Sequence, residues 1–188
     1  MSVMANATNV ISEGEVQQMV NAGNPDISEE IYRQVIYRKT AKLFEAAAQV
    51  GACLAGKNQD AMIAYGKHLG LAFQIADDVL DYQGDIEVTG KNIGSDLAEG
   101  KMTLPLIFAR DNAGSEHADL IRKAIAGKTA DNVGAILQVV NTSGGLSYSC
   151  QQAVKEVELA KHALVGMPDG DYKRVLLDLA EFSISRVS

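Results

Sequence analysis

Three aspartates, Asp77, Asp78 and Asp81, form a D-D-x-x-D pattern, with Gln74 one turn ahead of Asp78. At roughly 100° per residue these four side chains share one sector of a helix, about 100° wide. Lys67 and Gly70 extend that sector toward the N-terminus. Asp77 and Asp78 each lie about one turn from Asp81. Like charges so placed cost a few tenths of a kcal/mol, roughly, on an exposed helix, and Asp is a mediocre helix former. A divalent cation offsets that repulsion. Carboxylates at i, i+1 and i+4 suit a hard ion such as Mg²⁺, which takes one or two of them, keeps waters, and fills its shell with substrate phosphates. A solvated acidic edge at a helix end carries the same pattern. The neighbours favour the ion: Leu69, Leu71, Ala72, Phe73, Ile75, Ala76, Val79 and Leu80 are all apolar. A polar stripe on an apolar body implies a helix packed in protein on its other faces, with the stripe turned to solvent or to a cavity.

Metal alone does not hold an anionic substrate, so cations matter next. Lys39 lies one turn from Val35 and Leu43, and Thr40 one turn from Ile36 and Phe44. Lys39 therefore runs along the bundle interior, or snorkels from an apolar stripe. Lys91 and Lys101 each follow a glycine in a Gly-rich segment. A Gly-Lys in such a loop folds over a phosphate as a point charge, or is an ordinary solvated lysine. Taken together, three carboxylates, three lysines and a glutamine suit ionisation of a diphosphate ester, with metal and lysines neutralising charge on the leaving group. The three histidines, His68, His117 and His162, are scattered and form no Ser-His-Asp or Cys-His arrangement. The Glu-x-x-His pattern of a di-iron bundle is absent from the sequence.

The elements that must position these residues read as helical throughout. Eight helices are predicted, over about 3–21, 29–55, 60–82, 104–112, 115–126, 129–141, 146–166 and 171–187. Asp26 or Ser28 caps the second, with Asp26 and Glu29 as a capping box, and Gly56 ends it. Residues 83–103 read as a long loop, a length often tied to function. Thr103 caps the helix that follows, with Pro105 tolerated in its first turn. The fold class is all-α, as one domain over 1–188.

Composition narrows the function. The 188 residues carry 17 basic and 24 acidic side chains, a formal charge of −7, and no basic stripe that would neutralise nucleic-acid phosphates. A hydrophobic content of 47% is that of a globular chain. Two cysteines, Cys53 and Cys150, make no disulfide framework and fit a cytoplasmic protein. No apolar run reaches the roughly 18 residues of a membrane span, so no stable membrane insertion is expected.

The stretches SEGEVQQM (12–19), VIYRKTAKLFEAAAQVGACLAG (35–56), YGKHLGLAFQIADDVLDY (65–82) and TGKNIGSDLAEGKMTLPLI (89–107) resemble the trans-isoprenyl (polyprenyl) diphosphate synthases, and within them the bacterial octaprenyl type. The resemblance covers essentially the whole chain, more loosely after residue 110. It implies an isoprenoid-synthase helical bundle and a prenyltransferase that condenses an allylic diphosphate with isopentenyl diphosphate. By that resemblance Asp77, Asp78 and Asp81 match the second aspartate-rich, Mg²⁺-binding motif. Lys39, Lys91 and Lys101 match lysines on the allylic diphosphate. Thr40 and Gln74 match residues beside the carbocation, and Phe73 matches an aromatic near the isopentenyl site. A homodimer is implied as well.

The resemblance begins partway into the family's chain. The family's first aspartate-rich motif and its paired arginines have no match, because Asp77-Asp78 is the sole Asp-Asp pair and no Arg-Arg occurs. The chain therefore reads as the C-terminal half of a longer bundle, with little activity alone and with apolar faces left exposed. A non-catalytic partner subunit of a heteromeric synthase is the alternative. The intact Asp77, Asp78, Asp81, Lys91 and Lys101 argue against it.

Overall fold

The structure is a computed structural model that describes residues 2–83 and 94–187. Every regular element among the described residues is helical: α1 (Ser2–Asn21), α2 (Glu29–Ile36), a π turn (Tyr37–Ala41), α3 (Lys42–Ala55), α4 (Gln59–Gln83), α5 (Ser95–Ala98), α6 (Leu104–Asn112), α7 (Ser115–Gly127), α8 (Val133–Thr142), α9 (Gly145–Ala163) and α10 (Asp171–Phe182).

The predicted helix over 29–55 is present as one run, α2–π–α3, with an extra residue accommodated at Tyr37–Ala41. Such π turns occur mostly singly and often at functional sites. The cap is Ser28, whose Oγ accepts a hydrogen bond from the Ile31 N–H at 3.3 Å. The expected Asp26–Glu29 box does not form, because Asp26 pairs with Arg122 at 3.1 Å and Glu29 with Arg33 at 2.7 Å. Thr103 does precede the first turn of α6, but its side chain makes no capping bond. Three helices are shorter than predicted: the one expected over 146–166 ends at Ala163. The segment 129–132 is a turn ahead of α8, and the chain beyond Phe182 closes in tight turns, with Ile184 N–H bonded to Glu181 O and Val187 N–H to Ile184 O.

Helix α4 is the spine, packed mainly against α9 and α3. Most of its apolar body is buried: Leu69, Leu71, Ala72, Ile75, Ala76 and Val79 join one core with residues of α6, α7, α8 and α9. The close crossing of α4 on the preceding helix depends on missing side chains. A Cβ at Gly70 would stand 2.5 Å from Ala41 Cα, and one at Gly66 would stand 2.6 Å from Phe44 O. That approach sets the π turn directly over the polar stripe of α4. Large apolar side chains remain exposed on α1 (Val16, Met19, Val20) and α10 (Tyr172, Val175, Phe182).

Candidate functional site

The polar stripe of α4 faces a cavity of about 280 Å³. Gln74, Asp77 and Asp78 line one wall, and Lys39 and Thr40 of the π turn line another. The end of α1 adds Gln18 and Asn21, α2 adds Tyr32, and the segment from α5 into α6 adds Asp96, Lys101 and Thr103.

A chain of hydrogen bonds orders the inner wall. The Thr40 hydroxyl donates to Gln74 Oε1 at 2.7 Å, and Gln74 Nε2 donates to Asp78 Oδ1 at 2.8 Å. The Tyr32 hydroxyl donates to the other Asp78 oxygen at 2.7 Å. Asp78 is 6% exposed. Burial, then the charge of Asp96, pushes its carboxyl up to about 7, although the Tyr32 and Gln74 bonds pull the other way. A short relay of oriented oxygens, Thr40 to Gln74 to Asp78, therefore stands against the cavity.

Asp96 is the second perturbed acid. Burial and the charge of Asp81 push it up to about 6 against the pull of Lys101. Lys101 bridges Asp96 Oδ1 at 3.6 Å and Glu99 Oε2 at 2.5 Å. Lys39 is half-buried. Its ammonium donates to Gln18 Oε1 at 2.5 Å and pairs with Glu15 at 3.3 Å.

The structure does not treat the predicted residues alike. Lys39, Thr40, Gln74, Asp77, Asp78 and Lys101 share the cavity. Asp81 is not in its lining. Its two oxygens are taken by the Ser95 hydroxyl at 2.7 Å and the Asp96 backbone N–H at 3.0 Å, which ties α5 to α4. Phe73 also lies outside the lining, between the Phe44 ring, 5.5 Å away, and the Arg186 guanidinium, 5.8 Å from its centroid. Lys91 lies outside the described residues.

Sequence reasoning missed Tyr32, Asn21, Gln18 and Asp96. Asp96 carried one usable signal, an acid two residues after Gly94 in the segment that also supplies Lys101. Gln18 and Asn21 sit one turn apart at the end of α1, which a helical count shows, but nothing local says that this face meets Lys39. The helix predicted over 3–21 also gave no sign of where it would pack.

The donor set fits a hard divalent cation in kind. Asp77, Asp78 and Asp96 put carboxylate oxygens on one cavity, and burial first, then neighbouring carboxylate charge, raises the Asp78 and Asp96 carboxyls. Among the described residues no three Asp, Glu, His or Cys side chains converge closely enough to enclose an ion. Mg²⁺ does not need that, since it uses one or two carboxylates and leaves positions for water and phosphate.

Comparison with known proteins follows the same line. The family described as polyprenyl synthetase matches residues 1–143. The octaprenyl diphosphate synthases of Haemophilus influenzae and Escherichia coli are 44% and 45% identical over 99% of this chain. The chain spans 58% and 59% of those two proteins. Among solved structures, a decaprenyl diphosphate synthase from Rhodobacter capsulatus superposes with a TM-score of 0.93 at 36% identity, over 100% of this chain and 59% of that one. A polyprenyl synthase from Caulobacter crescentus, complexed with calcium and isoprenyl diphosphate, superposes with a TM-score of 0.92 at 38% identity, over 100% of this chain and 58% of that one.

Proposed function

Because this chain belongs to the polyprenyl synthetase family, we propose that its cavity is the allylic diphosphate side of a trans-prenyltransferase site. The reaction is elongation of an allylic prenyl diphosphate with isopentenyl diphosphate. The product is of the octaprenyl type that supplies a quinone side chain. One observation carries the reading: Lys39 and Lys101 share a cavity with Asp77, Asp78 and Asp96, beside the ordered Thr40–Gln74 pair. The Caulobacter crescentus relative, which holds calcium and isoprenyl diphosphate, supports it.

Asp77 and Asp78, with Asp96, are the residues that would hold Mg²⁺. When bound, the metal neutralises charge on the departing diphosphate. Lys39 and Lys101 supply fixed positive charge to the same diphosphate. Held in place by the fold, such preorganised charge counts for more than it does in water. Thr40 fixes the Gln74 amide, so both oxygens are already oriented when positive charge develops on the allylic carbon. Tyr32 and Gln74 hold Asp78 in one rotamer. Asp81 positions α5, and through it Asp96 and Lys101. Lys91 is proposed as a third phosphate contact and Phe73 as a wall near the isopentenyl group. After carbon–carbon bond formation the proton leaves to the diphosphate, so no side chain is needed as a base.

These 188 residues contain one aspartate-rich motif, which would hold metal on only one side of the diphosphate and so leave its charge poorly neutralised. Alone, the chain therefore turns over little or not at all, and normal product formation from an allylic primer, isopentenyl diphosphate and Mg²⁺ would refute that. The exposed Val16, Met19 and Val20 of α1 support a homodimer. The unpaired Cys53 and Cys150 support a cytoplasmic setting. The decisive experiment is a thermal-shift titration with Mg²⁺ and inorganic pyrophosphate. Wild type gains stability, and Asp77→Ala and Lys101→Ala lose most of the gain. No shift in wild type, or an equal shift in both variants, overturns the reading.

A further inference from the structure

Helix α1 meets the π turn backbone to backbone. Gly14 is buried, and a Cβ there would stand 2.7 Å from the Lys39 backbone nitrogen and 2.8 Å from Arg38 Cβ. Gln17 and Gln18 follow Gly14 by three and four residues, so all three share the face of α1 turned to the π turn. Each glutamine takes one cation of that turn. Gln17 Oε1 accepts from Arg38 Nη1 at 2.9 Å, and Gln18 Oε1 accepts from Lys39 Nζ at 2.5 Å. Gln18 and Lys39 both line the cavity, while Gln17 and Arg38 are outside its lining.

The Lys39 ammonium is thus shared between two acceptors of different kind. Gln18 is neutral and stands at the cavity. Glu15 is charged, 3.3 Å away, half-exposed and outside the lining. A lysine side chain gives up much rotamer freedom when it is fixed, and a loose one must do so at the moment it binds an anion. Gln18 fixes the ammonium in the folded state, before any ligand arrives. Being neutral, it leaves the charge of Lys39 intact for an anion. Glu15 offsets part of that charge.

We infer that Gln18 is a positioning residue: its side-chain carbonyl holds the Lys39 ammonium at the cavity for the diphosphate, while Glu15 competes with that diphosphate for the same charge. The inference rests on the diphosphate reading of the cavity and adds to it the groups that aim one of its lysines. Removing Gln18 and neutralising Glu15 therefore act in opposite directions on anion binding. A role confined to packing α1 on the π turn would not produce that opposition.

The test is calorimetric titration of inorganic pyrophosphate, at saturating Mg²⁺, into wild type, Gln18→Leu, Glu15→Gln, Gln17→Leu and Lys101→Ala, and into the first two substitutions combined with Lys39→Ala. None of the three α1 side chains is buried, so each variant keeps the core intact. Gln18→Leu is expected to lower affinity roughly three- to tenfold, because binding must then fix the released lysine. Glu15→Gln is expected to raise it about two- to fivefold at low salt, with the gain fading at high salt. In the Lys39→Ala background neither substitution has an effect, because its target is gone. Gln17→Leu breaks the neighbouring bond to Arg38 and should leave affinity unchanged. Equal losses in Gln17→Leu and Gln18→Leu, or a Gln18→Leu loss that persists without Lys39, show a packing role for α1 and overturn the inference. Wild-type affinity in Gln18→Leu, or weaker binding in Glu15→Gln, overturns it too. In each of those cases a loss of binding in Lys101→Ala leaves the diphosphate site standing. If wild type binds no pyrophosphate, or Lys101→Ala binds it as tightly, the diphosphate reading falls and this inference falls with it.

Discussion

Replacing Asp81 by alanine should destabilise the protein even when no metal is present. Asp81 is 6% exposed, and both of its oxygens accept hydrogen bonds from the start of α5: Ser95 Oγ at 2.7 Å and Asp96 N–H at 3.0 Å. Hydrogen bonds to an ionised acceptor are each worth about 1.5–3 kcal/mol. One term opposes them. The Asp81 charge is the second cause, after burial, that holds Asp96 up at about 6, and relieving it returns on the order of 1 kcal/mol. A net loss of at least about 2 kcal/mol lowers the melting temperature of a chain this size by roughly 4–8 °C or more. The assay is thermal unfolding in chelator, by calorimetry or circular dichroism. Asp81→Asn keeps one acceptor oxygen and should lose about half as much. If Asp81 acts only as a metal ligand, removing one of several crowded carboxylates leaves the metal-free melting temperature unchanged or raises it. Either result refutes the tethering role.

Three further outcomes follow from other contacts. Gly70→Val puts a branched Cβ where the Ala41 Cα stands 2.5 Å away, so it should cost about 1–3 kcal/mol by overpacking. It should also weaken Mg²⁺-dependent pyrophosphate binding by parting Thr40 from Gln74, and unchanged affinity would show that this crossing does not hold the site. Glu156 is buried, which alone would raise its carboxyl, but His68 at 2.7 Å and Arg33 at 2.9 Å outweigh burial and hold it below the ordinary glutamate value of 4.5. A carboxylate lowered in the folded state stabilises above its unfolded value and loses that contribution as pH falls through the folded one. The melting-temperature gap between wild type and Glu156→Gln should therefore shrink from about pH 5 to about pH 3, and a gap constant over that range refutes the assignment. Lys39→Ala should weaken pyrophosphate binding more at low salt than at high salt, because Lys39 is half-exposed and screening reaches it. Salt-independent loss would point to a packing effect instead.

Much of this protein was readable along the chain because its chemistry is carried by short-range spacing. A helix repeats every 3.6 residues, so D-D-x-x-D with Gln74 defines one face of α4 without any knowledge of its neighbours. The apolar body around that face shows it is packed, and α4 is indeed buried on its other sides. Gly56 ends α3 in a left-handed conformation for a reason local to one residue. The four-residue helix α5 lies inside the predicted loop over 83–103, because nothing in four residues sets a period. What makes it a helix is distant: Asp81 accepting from Ser95 and Asp96.

The remaining features arise where segments far apart in sequence meet. A count of 100° per residue places Lys39 and Thr40 on adjacent lines of a helix, and the tertiary structure shows that both, from the π turn, line the cavity. The carboxylates looked equivalent on the helical wheel. Packing made them different, burying Asp78 beside Tyr32 and Gln74 and committing Asp81 to α5. Asn21 is silent in sequence, a polar residue at a helix end. Its side-chain nitrogen is buried with no hydrogen-bond partner among the described residues, which only packing decides. Periodicity and residue type establish which groups can do chemistry, since both are properties of a segment. Burial, partners and charge balance are sums over neighbours from the whole chain, so the fold alone assigns each carboxylate and amide its role.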